Sequence, residues 1–244
     1  MLSAQNEERG QNLKVKLLRY TKDAELLCGA AASTSTRSGT PSEILEKMDM
    51  ETAKRLIKRV TGYGHGSVVE HAFFTFSIEG VSRSMTHQLV RHRIASYTQQ
   101  SQRYVIYNTL ESYVTPPSIA QNAEAKKMFD QTLERISQTY QDLLKLKIPK
   151  EDARFILPNA AKTNIIVTMN ARELRHFFNL RCCARAQWEM REVATQMLKQ
   201  ARKAAPALFE NTGPSCVELG YCCEGTMKPT ECNVEEIKKR FREL

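Results

Sequence analysis

Phe74-Thr75-Phe76-Ser77-Ile78-Glu79-Gly80 is the stretch on which the fold turns. Apolar Phe74, Phe76 and Ile78 alternate with Thr75, Ser77 and Glu79, the period of a strand with one buried face. Gly80 reads as its end. Ile165, Val167 and Met169 repeat the alternation and predict a second strand. Helical spacing lies on either side. Downstream, Ser82 is placed to cap a helix that carries Met85 and Leu89 on one face. Upstream, Thr40-Pro41-Ser42-Glu43 offers a cap, a first-turn proline and a capping-box glutamate. Ala53, Leu56, Ile57 and Val60 continue that spacing up to the glycine-rich loop Thr61-Gly62-Tyr63-Gly64-His65-Gly66. Ala30 to Ser38, small and polar, reads as a loop.

Further along, Phe129, Leu133, Ile136, Tyr140, Leu143 and Leu144 mark a long amphipathic helix, and Pro149 closes that region. Met190, Val193, Met197, Ala201 and Leu208 share one helical face. Trp188 and this methionine stripe read as core. The resulting expectation is a mixed α+β fold in a single domain, with helices dominating. The divisions expected are a polar N-terminal segment over 1–12, the domain over 13–213, and a cysteine-rich tail over 214–244, irregular from Pro214 to Cys232.

The 244 residues are 41% hydrophobic and 26% charged, the balance of a globular protein with a sizeable core. No run of eighteen apolar residues is present, which argues against a membrane span. Met1 to Gly10 has no apolar h-region, so no secretory signal is expected. Cys28, Cys182, Cys183, Cys216, Cys222, Cys223 and Cys232 then read as reduced thiols of a cytoplasmic protein. The tail cysteines lack a Cys-x-x-Cys pair and a following histidine, so no metal site is expected. Cys182 and Cys183 adjoin Arg181, where a positive charge could depress a thiol and make it open to modification. The net charge of +9 favours anionic partners, either nucleic acid or small phosphorylated ligands.

The densest chemistry is Arg91-His92-Arg93-Ile94-Ala95-Ser96-Tyr97-Thr98-Gln99-Gln100-Ser101-Gln102-Arg103-Tyr104. Arginine forks suit phosphate oxygens and carbonyls, while Ser and Gln add neutral hydrogen bonds. A solvated basic helix end is the competing reading of the cluster alone. Gly62-x-Gly64-x-Gly66 follows a helix and is mis-spaced, so it is no dinucleotide fingerprint.

Arg-His-Arg followed after seven residues by Ser resembles the signature of the flavin-dependent thymidylate synthases. His65-Gly66-Ser67-Val68-Val69-Glu70-His71 is similar to a second block of that family. Asn170-Ala171-Arg172, Asn179-Leu180-Arg181 and Ala186-Gln187-Trp188-Glu189 resemble a third. The likeness runs from about Lys14 to Leu208. It departs at Gln99, where an acidic residue is frequent, and at Arg185, where some members carry His.

The resemblance implies helices packed on a mainly antiparallel sheet. It implies reductive methylation of dUMP to dTMP with FAD as cofactor, and with methylenetetrahydrofolate and NADPH as co-substrates. It implies a homotetramer with sites at subunit junctions. The flavin set so implied is Ser67, Arg91, His92, Arg93 and Gln99, with Asn170, Arg172 and His176 reaching FAD from a neighbouring subunit. The dUMP set is Gln88, Leu89, Val90, Arg91, Gln99, Gln100, Ser101, Gln102, Arg103, Arg154 and Arg181. Arg103 and Arg154 face the phosphate, and Arg181, the catalytic candidate, faces the uracil ring. Ser101 reads as a ligand contact rather than a nucleophile, since a serine attacks only when a nearby base activates it. His92 reads as an orienting hydrogen-bond partner, and His71 as either structural or ligand-facing. The alternatives carried are a basic nucleic-acid-binding protein, against which no such fold signature is present, and an inactive homologue.

Overall fold

The computed structural model describes residues 13–106, 110–230 and 232–244, with Leu110 described in its backbone only. The segment expected to be polar and N-terminal, 1–12, lies outside the described residues. The chain runs β1 (Lys14–Tyr20), α1 (Ala24–Thr34), α2 (Pro41–Glu46), α3 (Met50–Gly62), a 3-10 turn (Gly66–Val69), β2 (Phe73–Ser82), α4 (Arg83–Leu89) and β3 (Ala95–Gln99). It continues with α5 (Pro117–Ala120), α6 (Ala123–Lys145), α7 (Lys150–Ala153), β4 (Lys162–Asn170), α8 (Ala171–Arg181) and α9 (Trp188–Ala204). The short α10 (Pro206–Phe209) and α11 (Ser215–Leu219) precede α12 (Val234–Arg242).

The fold is α+β, as the sequence leads one to expect. Its four-stranded antiparallel sheet has the order β1-β2-β4-β3. The direction of the central pair is visible in its bonds. Ala171 N–H donates to Ala72 O, Thr75 and Thr168 hydroxyls meet at 2.9 Å, and Gly80 N–H donates to the Asn164 side chain. Residue numbers thus rise on one strand as they fall on the other.

The described residues form two compact units. One takes in 78–89 and 98–165. There α6 turns Leu133 and Tyr140 inward against Tyr113, Ala153 and Ala161. The other takes in 15–77, 90–97 and 166–244. In it Phe74, Phe178 and Phe209 meet edge to face, with Phe177 against Phe178. Such geometry suits the ring quadrupoles. Met190, Val193, Met197 and Ala201 are fully buried on α9 of the same unit.

Several sequence expectations change. Ala30 to Ser38 is not all loop, because α1 runs to Thr34 and buries Ala30 in a cluster with Ile44, Met48 and Ala53. Small residues there let helices approach closely. The helix begun at Thr40 does have its capping box, but it stops at Glu46. Asp49 then caps a second helix through Thr52 N–H at 2.8 Å. Strand β2 passes through Gly80, whose φ of +69° suits glycine alone, and ends at Ser82. Ser82 Oγ then accepts from Met85 N–H, the cap expected. Leu208 belongs to α10 rather than α9, since Pro206 cannot continue the helix. Trp188 is only half-buried, at the start of α9. The tail is partly regular: α11 lies within it and α12 follows. Strands β1 and β3 have no clear two-residue alternation of apolar residues.

Candidate active site

Helix α8 organises the site. Asn170 opens it by accepting from Glu173 N–H at 2.9 Å, which commits a side chain expected to touch FAD to a helix cap. Four residues of α8 then carry chemistry: Arg172, Glu173, His176 and Arg181.

His92 is 5% exposed and Glu173 7% exposed. His92 Nδ1 lies 3.1 Å from Glu173 Oε1, and Arg181 Nε donates to His92 Nε2 at 3.0 Å. Arginine has only donors, so Nε2 must be the acceptor and Nδ1 must carry the proton. A neutral imidazole therefore bridges a carboxylate and a guanidinium. Burial, then Arg181, then His176, pull the His92 pKa down to about 4. Burial raises that of Glu173, against the opposing pull of His176. Tyr97 donates to the His92 carbonyl at 2.8 Å. Arg181 is half-buried, and its terminal nitrogens form no hydrogen bond among the described residues. The remaining fork is free for a ligand.

Arg91 and Arg93 are exposed on either side of buried His92. Three consecutive side chains cannot share one direction, and here the histidine goes in while the arginines go out. Arg172 reaches across Gly66, where a Cβ would stand 3.2 Å from its Nε, and pairs with Glu70 at 2.5 Å. The glycine that fails as a dinucleotide motif thus packs closely under this arginine, where a Cβ would press it aside by a few tenths of an ångström. Ser67 and His176 are exposed. Ser67, Arg91, Arg93, Arg172, His176 and Arg181 all belong to one unit. As a donor set they fit an extended anionic cofactor such as FAD. His71 is exposed too and borders an apolar cavity of about 410 Å³ between α1 and α2.

The other unit holds Gln88, Leu89, Gln99 to Arg103, and Arg154. Gln99 Nε2 donates to Thr86 at 2.9 Å and Thr163 at 3.3 Å, so its amide ties α4 to β4. Gln100 shares two bonds with Asn164, and its carbonyl accepts from Arg83 at 2.8 Å. Ser101 Oγ accepts from Arg103 N–H at 3.1 Å, a local turn with no base attached. Arg103 pairs with the Glu151 carboxylate at 2.7 Å, and Arg154 Nε donates to the Glu151 carbonyl at 3.1 Å. Two arginines expected at a phosphate thus meet around one residue. Gln88 and Gln102 are half-buried, and Val90, in the same unit as Arg91 and Arg181, is exposed. Leu89 has a fully buried side chain, which leaves only its backbone to serve a ligand.

Other residues were not evident in the sequence. Glu173 reads as a capping glutamate, three residues after Asn170, and its second partner is 81 residues away. Glu151 and Thr86 gave no signal. Against a reactive Cys182, the residue is 3% exposed, and burial pushes its thiol up to about 12 despite the Thr195 hydrogen bond and nearby arginines. All seven cysteines are free thiols. No described helix is long and apolar enough to cross a membrane.

Residues 16–207 match the family described as "Thymidylate synthase complementing protein". The flavin-dependent thymidylate synthase of Geobacter sulfurreducens is 45% identical over 234 residues, covering 95% of this chain and 99% of that protein. That of Pyrococcus abyssi is 46% identical over 239 residues, covering 95% and 98%. The crystal structure of the Helicobacter pylori enzyme complexed with FAD and dUMP superposes with a TM-score of 0.67 at 27% identity, covering 82% of this chain and 99% of the other. A UMP/dUMP methylase from Streptomyces cacaoi, bound to 5-Br dUMP, gives 0.69 at 25% identity, covering 82% and 94%.

Proposed function

Because the chain belongs to the flavin-dependent thymidylate synthases, we propose that it makes dTMP from dUMP with methylenetetrahydrofolate as carbon donor and NADPH as the source of electrons. It is a methyltransferase that uses FAD. Balance requires that uracil C5 lose a proton and gain a methylene group and a hydride, while tetrahydrofolate and NADP leave. FAD, when bound and reduced by NADPH, would supply the hydride.

The residues of this chain bind and polarise. Arg103 and Arg154 neutralise the dUMP phosphate, with Ser101, Gln88, Gln100 and Gln102 and the backbone at Leu89 and Val90 adding neutral contacts. Gln99 supports this set through Thr86 and Thr163. Ser67, Arg91, Arg93, Arg172 and His176 hold FAD, with His92 and Asn170 fixing the elements that carry them. Arg181 stabilises negative charge developing on the uracil as C5 becomes nucleophilic. No thiol attacks C6; Cys182, the one beside Arg181, is buried and protonated.

The family domain occupies 13–213 with 214–244 as an appended tail, and the active form is a homotetramer whose sites draw on more than one chain. The observation that carries this reading is the Glu173–His92–Arg181 chain, which holds a guanidinium by one nitrogen and leaves its fork free.

The test is tritium release from C5-labelled dUMP with FAD, NADPH and methylenetetrahydrofolate. Release should require FAD and should slow by at least about a hundredfold in Arg181→Ala, the scale of losing one oxyanion donor. No release from folded, FAD-loaded protein would overturn the reading, as would normal release from Arg181→Ala.

A further inference from the structure

We propose that Glu173 is a positioning residue for catalysis, acting on Arg181 through the tautomer of His92. This rests on Arg181 as the group that faces dUMP. The groups around His92 leave little choice. Glu173, His176, Phe177 and Arg181 meet it from α8, and Tyr97 from β3 donates to its carbonyl.

Arg181 can be held by Nε2 only if that nitrogen carries no proton. The proton must then sit on Nδ1, which is buried and needs an acceptor. Glu173 Oε1, at 3.1 Å, is that acceptor. With the proton on Nε2 instead, imidazole and guanidinium would point donors at each other, and Arg181 would lose its register. The neutral ring is also well oriented between charges. Its N–H faces the carboxylate and its lone pair faces the guanidinium. The arrangement parallels other sites where the second nitrogen of a histidine fixes what the first can do.

Glu173 also has a plain structural task, because its N–H meets the Asn170 cap. That task belongs to its backbone and survives substitution of the side chain. The tested contribution is therefore separable.

The experiment is a double-mutant cycle on FAD-loaded protein, with turnover, dUMP affinity by calorimetry and melting temperature measured for each variant. Glu173→Leu should lower kcat by about 10- to 100-fold, the range for partners of this kind. Glu173→Gln, which keeps an acceptor oxygen for Nδ1–H, should recover to within about tenfold of wild type. It also covers the case in which Glu173→Leu fails to fold. In the Arg181→Ala background neither substitution should cost anything further in kcat or dUMP affinity, since coupled residues are not additive. Full additivity in that background would overturn the proposal, as would Glu173→Gln as slow as Glu173→Leu. Normal turnover by Arg181→Ala alone would instead sink the role given to Arg181.

Discussion

Arg103 shows how a binding residue can be engaged before its ligand arrives. Its partner Glu151 is about half exposed, at 51%, and a phosphate dianion must displace that carboxylate. Exposed pairs of this kind contribute little, at most ~1 kcal/mol. Glu151→Gln should therefore tighten dUMP binding modestly, by up to about fivefold, with kcat unchanged. Calorimetric titration checks this, and weaker binding would mean that Glu151 supports the site instead of competing for it. Residues of this sort mark the limit of sequence reading. Arg91, His92, Arg93 and Ser101 announce themselves by spacing, because they share one short segment. Glu151 and Glu173 do not, because their roles depend on partners dozens of residues away. Gln99 was visible as a departure from the family pattern, but its bonds to Thr86 and Thr163 were not.

At the scale of elements, α8 joins folding to chemistry. Its buried Leu174, Phe177 and Phe178 fix the helix, and Glu173 and Arg181, on the same inward face, reach His92 beside Phe177. A histidine kept neutral in the fold has a pH signature. His92 titrates near 4 in the folded protein against 6.5 when unperturbed. Between those values the unfolded chain binds a proton that the folded one does not, so stability falls as pH falls through the window. The full difference corresponds to ~3 kcal/mol. Glu173 acts in the opposite sense above its own unperturbed value, so the upper part of the window is the cleaner one. Chemical denaturation from pH 7.5 down to about 5 should show the loss, and His92→Gln should flatten it. An unchanged slope in that variant would place the titration elsewhere. Strongly periodic elements were legible in advance: β2, β4, α6 and the body of α9. Edge strands β1 and β3 were not: the alternation of β1 lapses at Leu17-Leu18, and β3 turns Ala95, Tyr97 and Gln99 rather than large aliphatic residues to its more buried face. The break between α2 and α3 was hidden since apolar spacing continues across it, although Asp49 was available as a second cap.

For the whole molecule, the charge of +9 favours anionic ligands. FAD bound between subunits would stabilise the assembly by mass action, since the unfolded chain has no site for it. A hundredfold excess over Kd gives about 2.7 kcal/mol on that basis. FAD should raise the melting temperature, and Arg172→Ala should weaken FAD binding and shrink the rise. Thermal melting across an FAD titration, with light scattering for mass, checks both. A monomer indifferent to FAD would refute the shared site. The central claim is that reduced flavin delivers the hydride into dTMP and that no thiol attacks C6. Anaerobic protein with its FAD reduced by NADPH should be mixed with dUMP and methylenetetrahydrofolate while the yellow of oxidised flavin and the amount of dTMP are followed together. The account predicts that colour returns as dTMP forms, one product per flavin, in wild type and in a variant with Cys182 and Cys183 both changed to Ser. Formation of dTMP while the flavin stays reduced, or its loss in the folded double-serine variant, would contradict it.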